Sequence, residues 1–216
     1  MIGGVVFDLD GTLVDNIAFH FEAFRTQAAR LGLVMDEDTF QSFNGLKNED
    51  IFPRFLGRAL TREEIAELSD EKEETYRALY RPKLIAHRGA TELLDRLRAA
   101  GVKLAVASSA PPANRTMVLS GLGWDACFDA VVASEGLRGK PAPDIFLAAA
   151  ERLGVAPAAC VAFEDAVNGI QAAAAAGMIV VGVTTNVPAA TLTAAGARFT
   201  VADFVTFPAE LDALLP

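Results

Sequence analysis

The sequence predicts an α/β fold: a doubly wound parallel sheet carrying a small helical domain inserted directly after its first strand. Three observations predict it. Short apolar runs without a polar face recur along the chain, helical patterns alternate with them, and one long stretch near the start is helical throughout.

The first run is GGVVF at residues 3–7, and similar β-rich runs lie at 102–107, 130–133, 160–163 and 179–183. Strands buried on both faces by covering helices have this character. Between them, helical periodicity marks 90–100, 113–120, 144–153 and 166–176, with Gly101, Gly121, Gly154 and Gly177 as the expected helix ends. Strand and helix alternating in this way imply Rossmann-like winding of a parallel sheet.

Residues 16–83 break the alternation, which divides the chain into an α/β core of 1–15 and 84–216 and an inserted helical domain of 16–83. Within the insertion, Glu63, Glu64, Glu67, Asp70, Glu71, Glu73 and Glu74 interleave with Ile65, Leu68 and Tyr76, the pattern of a solvated, charge-laced helix. Asp15 is expected to cap the first inserted helix. Phe19, Phe21 and Phe24, at helical spacing, are expected to form core, and His87 and Trp124 are read as structural.

Composition bounds the function. The 216 residues are 52% hydrophobic, ample for a buried core, and the formal charge of −9 with scattered lysine and arginine argues against nucleic acid as a partner. A small anionic substrate remains compatible, because a few focused cations and backbone amides can bind it against the overall field. Cys127 and Cys160 form no C-x-x-C and no metal-ligand spacing with His20 and His87, so both are expected to be core thiols. No export signal is visible, and the longest apolar stretch, 172–183, is broken by Gly177 and falls short of the roughly 20 residues of a membrane helix. No membrane partner is expected. Cytoplasmic location and a monomeric state are the defaults.

In open α/β sheets, reactive groups gather beyond the carboxyl ends of the strands. Four such ends here are chemically coherent: Asp8-Leu9-Asp10-Gly11-Thr12, Ser108-Ser109, Lys140 in the loop after the third strand, and Glu164-Asp165. Asp8 and Asp10 in one pocket repel unless a cation lies between them, and Mg2+, which takes one or two carboxylates and completes its octahedron with water and phosphate, meets that need. Glu164 and Asp165 would complete the metal site. A carboxylate nucleophile attacking a phosphate dianion needs cations and donors to offset like-charge repulsion, which Lys140, Ser108 and the backbone N–H groups of Leu9 and Ser109 can supply. With Asp8 as nucleophile, Asp10 is placed to protonate the leaving oxygen and then to activate water. Each residue alone has an ordinary reading, as turn former, helix cap or solvated loop lysine. The constellation is what singles them out.

VVFDLDGTLVD (5–15), ASS (107–109), GKPAPDIF (139–146) and FEDAVNGI (163–170) resemble, in order and spacing, the four motifs of the haloacid dehalogenase superfamily over nearly the whole chain. By that resemblance Asp8 is the nucleophile, Asp10 the acid/base, and Ser108 and Lys140 phosphate binders. Asp8, the Asp10 carbonyl and Asp165 become the metal ligands with Glu164 adjacent, and the insertion becomes a cap holding specificity residues.

Within the superfamily, His20, GxKPAPDIF and ED-x-x-x-GI look most like the β-phosphoglucomutase-like branch of mutases and sugar or small-metabolite phosphatases. The resemblance places His20 where it can align Asp10, beside the plainer reading of a junction histidine. It also places Asn44 and Asn48 where the mutases carry basic residues, and Pro111-Pro112 in place of a polar pair, which favours hydrolysis of a small phosphorylated metabolite. Asn44, Lys47 and Lys72 are expected to face an anionic, polar ligand, and the two lysines keep the mutase alternative open. A phospho-receiver module is disfavoured by Asp10 and the helical insertion. No G-x-x-x-x-G-K-[ST] loop is present, and a dehalogenase has no need of this magnesium-type ligand set.

Overall fold

In a computed structural model, which describes residues 2–43 and 45–216, the chain opens with β1 (Gly4–Phe7) and then forms α1 (Ile17–Arg30), α2 (Glu37–Ser42), α3 (Asn48–Leu56) and α4 (Arg62–Tyr80) before any second strand. Alternation resumes with α5 (Ala90–Ala99), β2 (Lys103–Ser108), α6 (Pro112–Gly121), β3 (Ala130–Ala133), α7 (Asp144–Leu153), β4 (Cys160–Glu164), α8 (Val167–Ala175), β5 (Ile179–Val183), α9 (Ala189–Ala195), β6 (Phe199–Val201) and α10 (Ala209–Asp212). The sheet order is β3-β2-β1-β4-β5-β6, with every neighbouring pair parallel. The protein therefore has the doubly wound, Rossmann-like α/β fold, and the chain winds away from β1 first toward β3 and then toward β6.

Alternation along β1 divides the core into two layers. Val5 and Phe7 face one apolar cluster with Leu93, Leu94 and Leu97 of α5 and Val118 of α6, whereas Val6 faces the other with Ile145, Phe146 and Ala149 of α7 and Ile170 of α8. Phe7 stacks on Phe163 with ring centroids 5.1 Å apart, which adds about 0.5–1.5 kcal/mol beyond area burial and ties the two strands that carry Asp8 and Glu164.

The helical insertion has its own apolar cluster around Phe24, Ala28, Met35, Phe40, Ile51 and Phe52. Its base packs onto the core. Ala23 of α1 and Tyr76 and Tyr80 of α4 pack in the same cluster as Phe7 and Leu9, so apolar contact runs on across the expected boundary.

Several local expectations need correction. Asn16, not Asp15, holds the N-cap position of α1, and Asp15 is exposed. Gly121 is the last residue of α6 rather than a left-handed cap; it packs where a Cβ would run into Leu84. Helix α4 opens with a capping box, Thr61–Glu64, and Glu73 on it is buried rather than solvated. No helix among the described residues is long and apolar enough to cross a membrane.

Candidate active site

Parallel register brings the chemistry together. Phe7 pairs with Val106 on one side and Phe163 on the other, and the Asp8 N–H donates to the Phe163 carbonyl at 3.0 Å, so Asp8 leaves the sheet beside the end of β4 at the switch in winding. There the buried ammonium of Lys140, reached through a cis Lys140–Pro141 peptide, donates to Asp8 Oδ1 at 2.6 Å and Glu164 Oε1 at 2.7 Å. Glu164 Oε2 accepts from the Ala166 N–H at 2.7 Å, so both of its oxygens are engaged. Gly169 makes room for this: a Cβ there would overlap the Glu164 carboxylate.

The electrostatics are those of a site short of positive charge. Burial pushes the Asp8 carboxyl well above its ordinary value; Lys140 opposes the rise, while Glu164, Asp165 and Asp10 add to it. Burial alone would lower the Lys140 ammonium, but Asp8 and Glu164 raise it further and hold it protonated. Burial and Glu164 push Asp165 up to about 7, although Thr12 and Asn186 hydrogen-bond it. Thr12 Oγ1 donates to Asp165 Oδ1 at 2.8 Å and Asn186 Nδ2 to Oδ2 at 3.1 Å. Asp165 lies directly against the motif loop at Gly11, where a Cβ would collide with it and φ is +80°. It precedes the α8 N-cap at Ala166 and so lies outside the first turn of that helix.

Asp8, Asp10, Glu164 and Asp165 line one cavity of about 100 Å³ with Lys140. Among the described residues no three His, Cys, Asp or Glu side chains form a ready cage for a metal. Mg2+ does not require one, since one or two carboxylates with water and phosphate complete its shell. Oxygen-only donors, four carboxylates against one lysine and the raised Asp8 and Asp165 fit such a cation.

Asp10 is held from the insertion side. Asn16 Nδ2 donates to Asp10 Oδ1 at 2.5 Å and to the Tyr76 hydroxyl at 2.7 Å, while Asn16 Oδ1 accepts from the Gly11 N–H at 3.0 Å. His20 Nε2 stands 3.8 Å from Asp10 Oδ1, its ring stacked on Tyr76 at 3.8 Å between centroids, and its Nδ1 is 2.8 Å from Lys72 Nζ. Lys72 also donates to Glu73 Oε1 at 2.9 Å. Glu73 accepts in addition from Asn48 at 2.9 Å and from Asn114 of α6 at 2.7 Å.

Other expected site residues divide. The Ser109 hydroxyl lines the cavity, buried and without a partner in the protein, whereas Ser108 Oγ accepts from the Ala110 N–H at 3.0 Å behind it. Leu9 is buried under the motif loop. Lys47 is a correction: its ammonium donates at 2.6 Å to the carbonyls of both Ser134 and Leu137 and so is drawn away from the cavity. Lys72 does line it, but as half of a buried ion pair with Glu73. Asn44 lies outside the described residues. Asn16, Glu73, Asn114 and Asn186 were not singled out by sequence. A signal existed for Glu73, which lies three residues before Tyr76 and so shares its helix face.

A family model described as "haloacid dehalogenase-like hydrolase" matches residues 2–177. The chain is 37% identical over 188 residues to a β-phosphoglucomutase of Bacillus subtilis, covering 83% of this chain and 82% of that one. It is 36% identical over 178 residues to the fructose-1-phosphate phosphatase YqaB of Escherichia coli, covering 81% and 93%. Among solved structures, a β-phosphoglucomutase from Clostridium difficile superposes with a TM-score of 0.86 at 28% identity, covering 99% of this chain and 96% of that one. The chain belongs to the haloacid dehalogenase-like hydrolases, in a group with phosphatases and phosphomutases of sugar phosphates.

Proposed function

We propose that this protein is a magnesium-dependent phosphatase that hydrolyses a small phosphorylated metabolite through an aspartyl phosphate on Asp8. The observation that carries the reading is Asp8 on the cavity floor, bridged by Lys140 to Glu164, with Asp10 fixed two residues on by Asn16. In the first step an Asp8 oxygen bonds to phosphorus as the bond to the leaving oxygen breaks, and Asp10 gives that oxygen its proton. In the second, Asp10 takes a proton from water, the water oxygen bonds to phosphorus, and the phosphorus–Asp8 bond breaks to release inorganic phosphate. Such acid–base help is worth on the order of a hundred- to ten-thousand-fold. Lys140 offsets the approach of carboxylate to phosphate, and Ser109 offers a hydroxyl lacking a protein partner. Mg2+, held by Asp8, Asp165 and the Asp10 carbonyl, would neutralise further phosphoryl charge. Both Glu164 oxygens are engaged, so its role is to hold Lys140.

The similarity to β-phosphoglucomutases supports a second reading, transfer of the phosphoryl group back to a sugar. Against it, Lys47 and Lys72 are both committed to contacts within the protein, which leaves a bisphosphate weakly held. The test follows phosphate release and sugar-phosphate isomers from a panel including fructose 1-phosphate and β-glucose 1-phosphate, with Mg2+ and with chelator. Release that disappears on chelation and in Asp8→Asn is expected; isomerisation without net release would establish the mutase instead.

A further inference from the structure

The part of the cavity lined by the helical insertion differs from its catalytic floor. Phe24, Phe40, Phe43 and Ile51, all from the helical insertion, form an apolar wall there. The polar strip beside it is His20, Lys72, Glu73 and Asn48. Among the described residues lining the cavity, Lys140 and Lys72 are the only lysines and there is no arginine. Lys72 is closed into a buried ion pair with Glu73, contacts His20, and lies 4.5 Å from the Phe24 ring centroid, so this end carries no net positive charge from the pair. Burial works against ionisation of Glu73, yet Lys72, His20 and Asn48 outweigh it and keep the carboxylate charged.

We infer that the substrate carries a single phosphoryl group on an uncharged framework with an apolar face, and that Glu73 excludes ligands with a second negative charge. The inference rests on the phosphatase reading. A distal phosphate or carboxylate would enter beside a buried, ionised carboxylate whose lysine is already paired, and like charge there is a repulsive element against that class of ligand. A neutral framework meets no such barrier and gains apolar contact with the phenylalanines.

Ligand binding to Asp8→Asn protein, measured by calorimetry, tests this apart from turnover. The matched pairs are glycerol 1-phosphate against 3-phosphoglycerate, and fructose 1-phosphate against fructose 1,6-bisphosphate. We expect the neutral-framework member of each pair to bind at least tenfold more tightly, and n-butyl phosphate to bind at least as tightly as glycerol 1-phosphate. Adding Glu73→Gln should narrow each charge ratio at least fivefold by improving the doubly charged ligand. Equal or tighter binding of the doubly charged members, a Glu73→Gln ratio left unchanged, tighter glycerol than butyl phosphate, or no binding by any member overturns the inference. The ranking in Asp8→Asn alone does not depend on the Glu73 variant folding. Phosphate release by wild-type protein is scored separately: its absence alongside the expected ranking would overturn the phosphatase reading and leave the charge preference standing.

Discussion

The side-chain amide of Asn114, on core helix α6, donates to Glu73 Oε2, on inserted helix α4, at 2.7 Å. A buried carboxylate of the insertion is thus tied to the core beside the cavity, and Asn114 Oδ1 accepts from Arg77 of the same helix at 3.0 Å. Asn114→Ala removes one donor to an ionised group and one acceptor from Arg77. We expect a loss of about 2–3 kcal/mol in urea denaturation, with KM rising more than kcat falls because the insertion is held less firmly over the substrate.

Lys140→Met leaves Asp8 and Glu164 buried without the cation they share. Breaking a buried ion pair from one side costs about 3–5 kcal/mol, so denaturant midpoints should fall sharply. Phosphate release should fall at least a hundredfold at saturating Mg2+. Full activity in this variant would refute the assignment.

Asn16 acts through Asp10 rather than on the substrate. Asn16→Ala frees the acid/base carboxylate to rotate, and kcat should drop about tenfold to a hundredfold with KM little changed. The pH profile of kcat should shift as well, which a purely structural effect would not produce. Asn16→Asp should not rescue it, because the new carboxylate cannot donate to Asp10.

The Glu73 carboxyl is lowered from 4.5 to about 2, since Lys72, His20 and Asn48 outweigh the effect of burial. A depressed acid stabilises the fold above its unfolded value and loses that contribution as pH falls through the folded one. The ionised group therefore contributes fully above about pH 5, up to roughly 3 kcal/mol, and progressively less toward pH 2. In urea titrations across pH 2–7, the stability gap between wild type and Glu73→Gln should be widest near neutrality and close in acid. A gap constant with pH would contradict the burial of an ionised Glu73.

The sequence alone determined the parallel α/β sheet, the position of the helical insertion and the strand-end motifs. These are local signals: β3, α7 and β5 fall where the apolar runs and helical periodicity lie, and Asp8, Asp10, Lys140, Glu164 and Asp165 follow strand ends that topology directs to one edge. Edge strand β6, with three residues, and α9, built of alanine, threonine and leucine, carry too little pattern to be seen, and their form comes from packing on β5 and α8. Only the tertiary structure decided the fate of the charges in the insertion. Spacing along one helix cannot tell which carboxylate meets a lysine in the dark of the fold and which meets water, so Glu73 read like its solvated neighbours until Asn114, from 41 residues away, and Lys72 closed around it. The same long-range contacts drew Lys47 onto two core carbonyls and set Asn16 against Asp10.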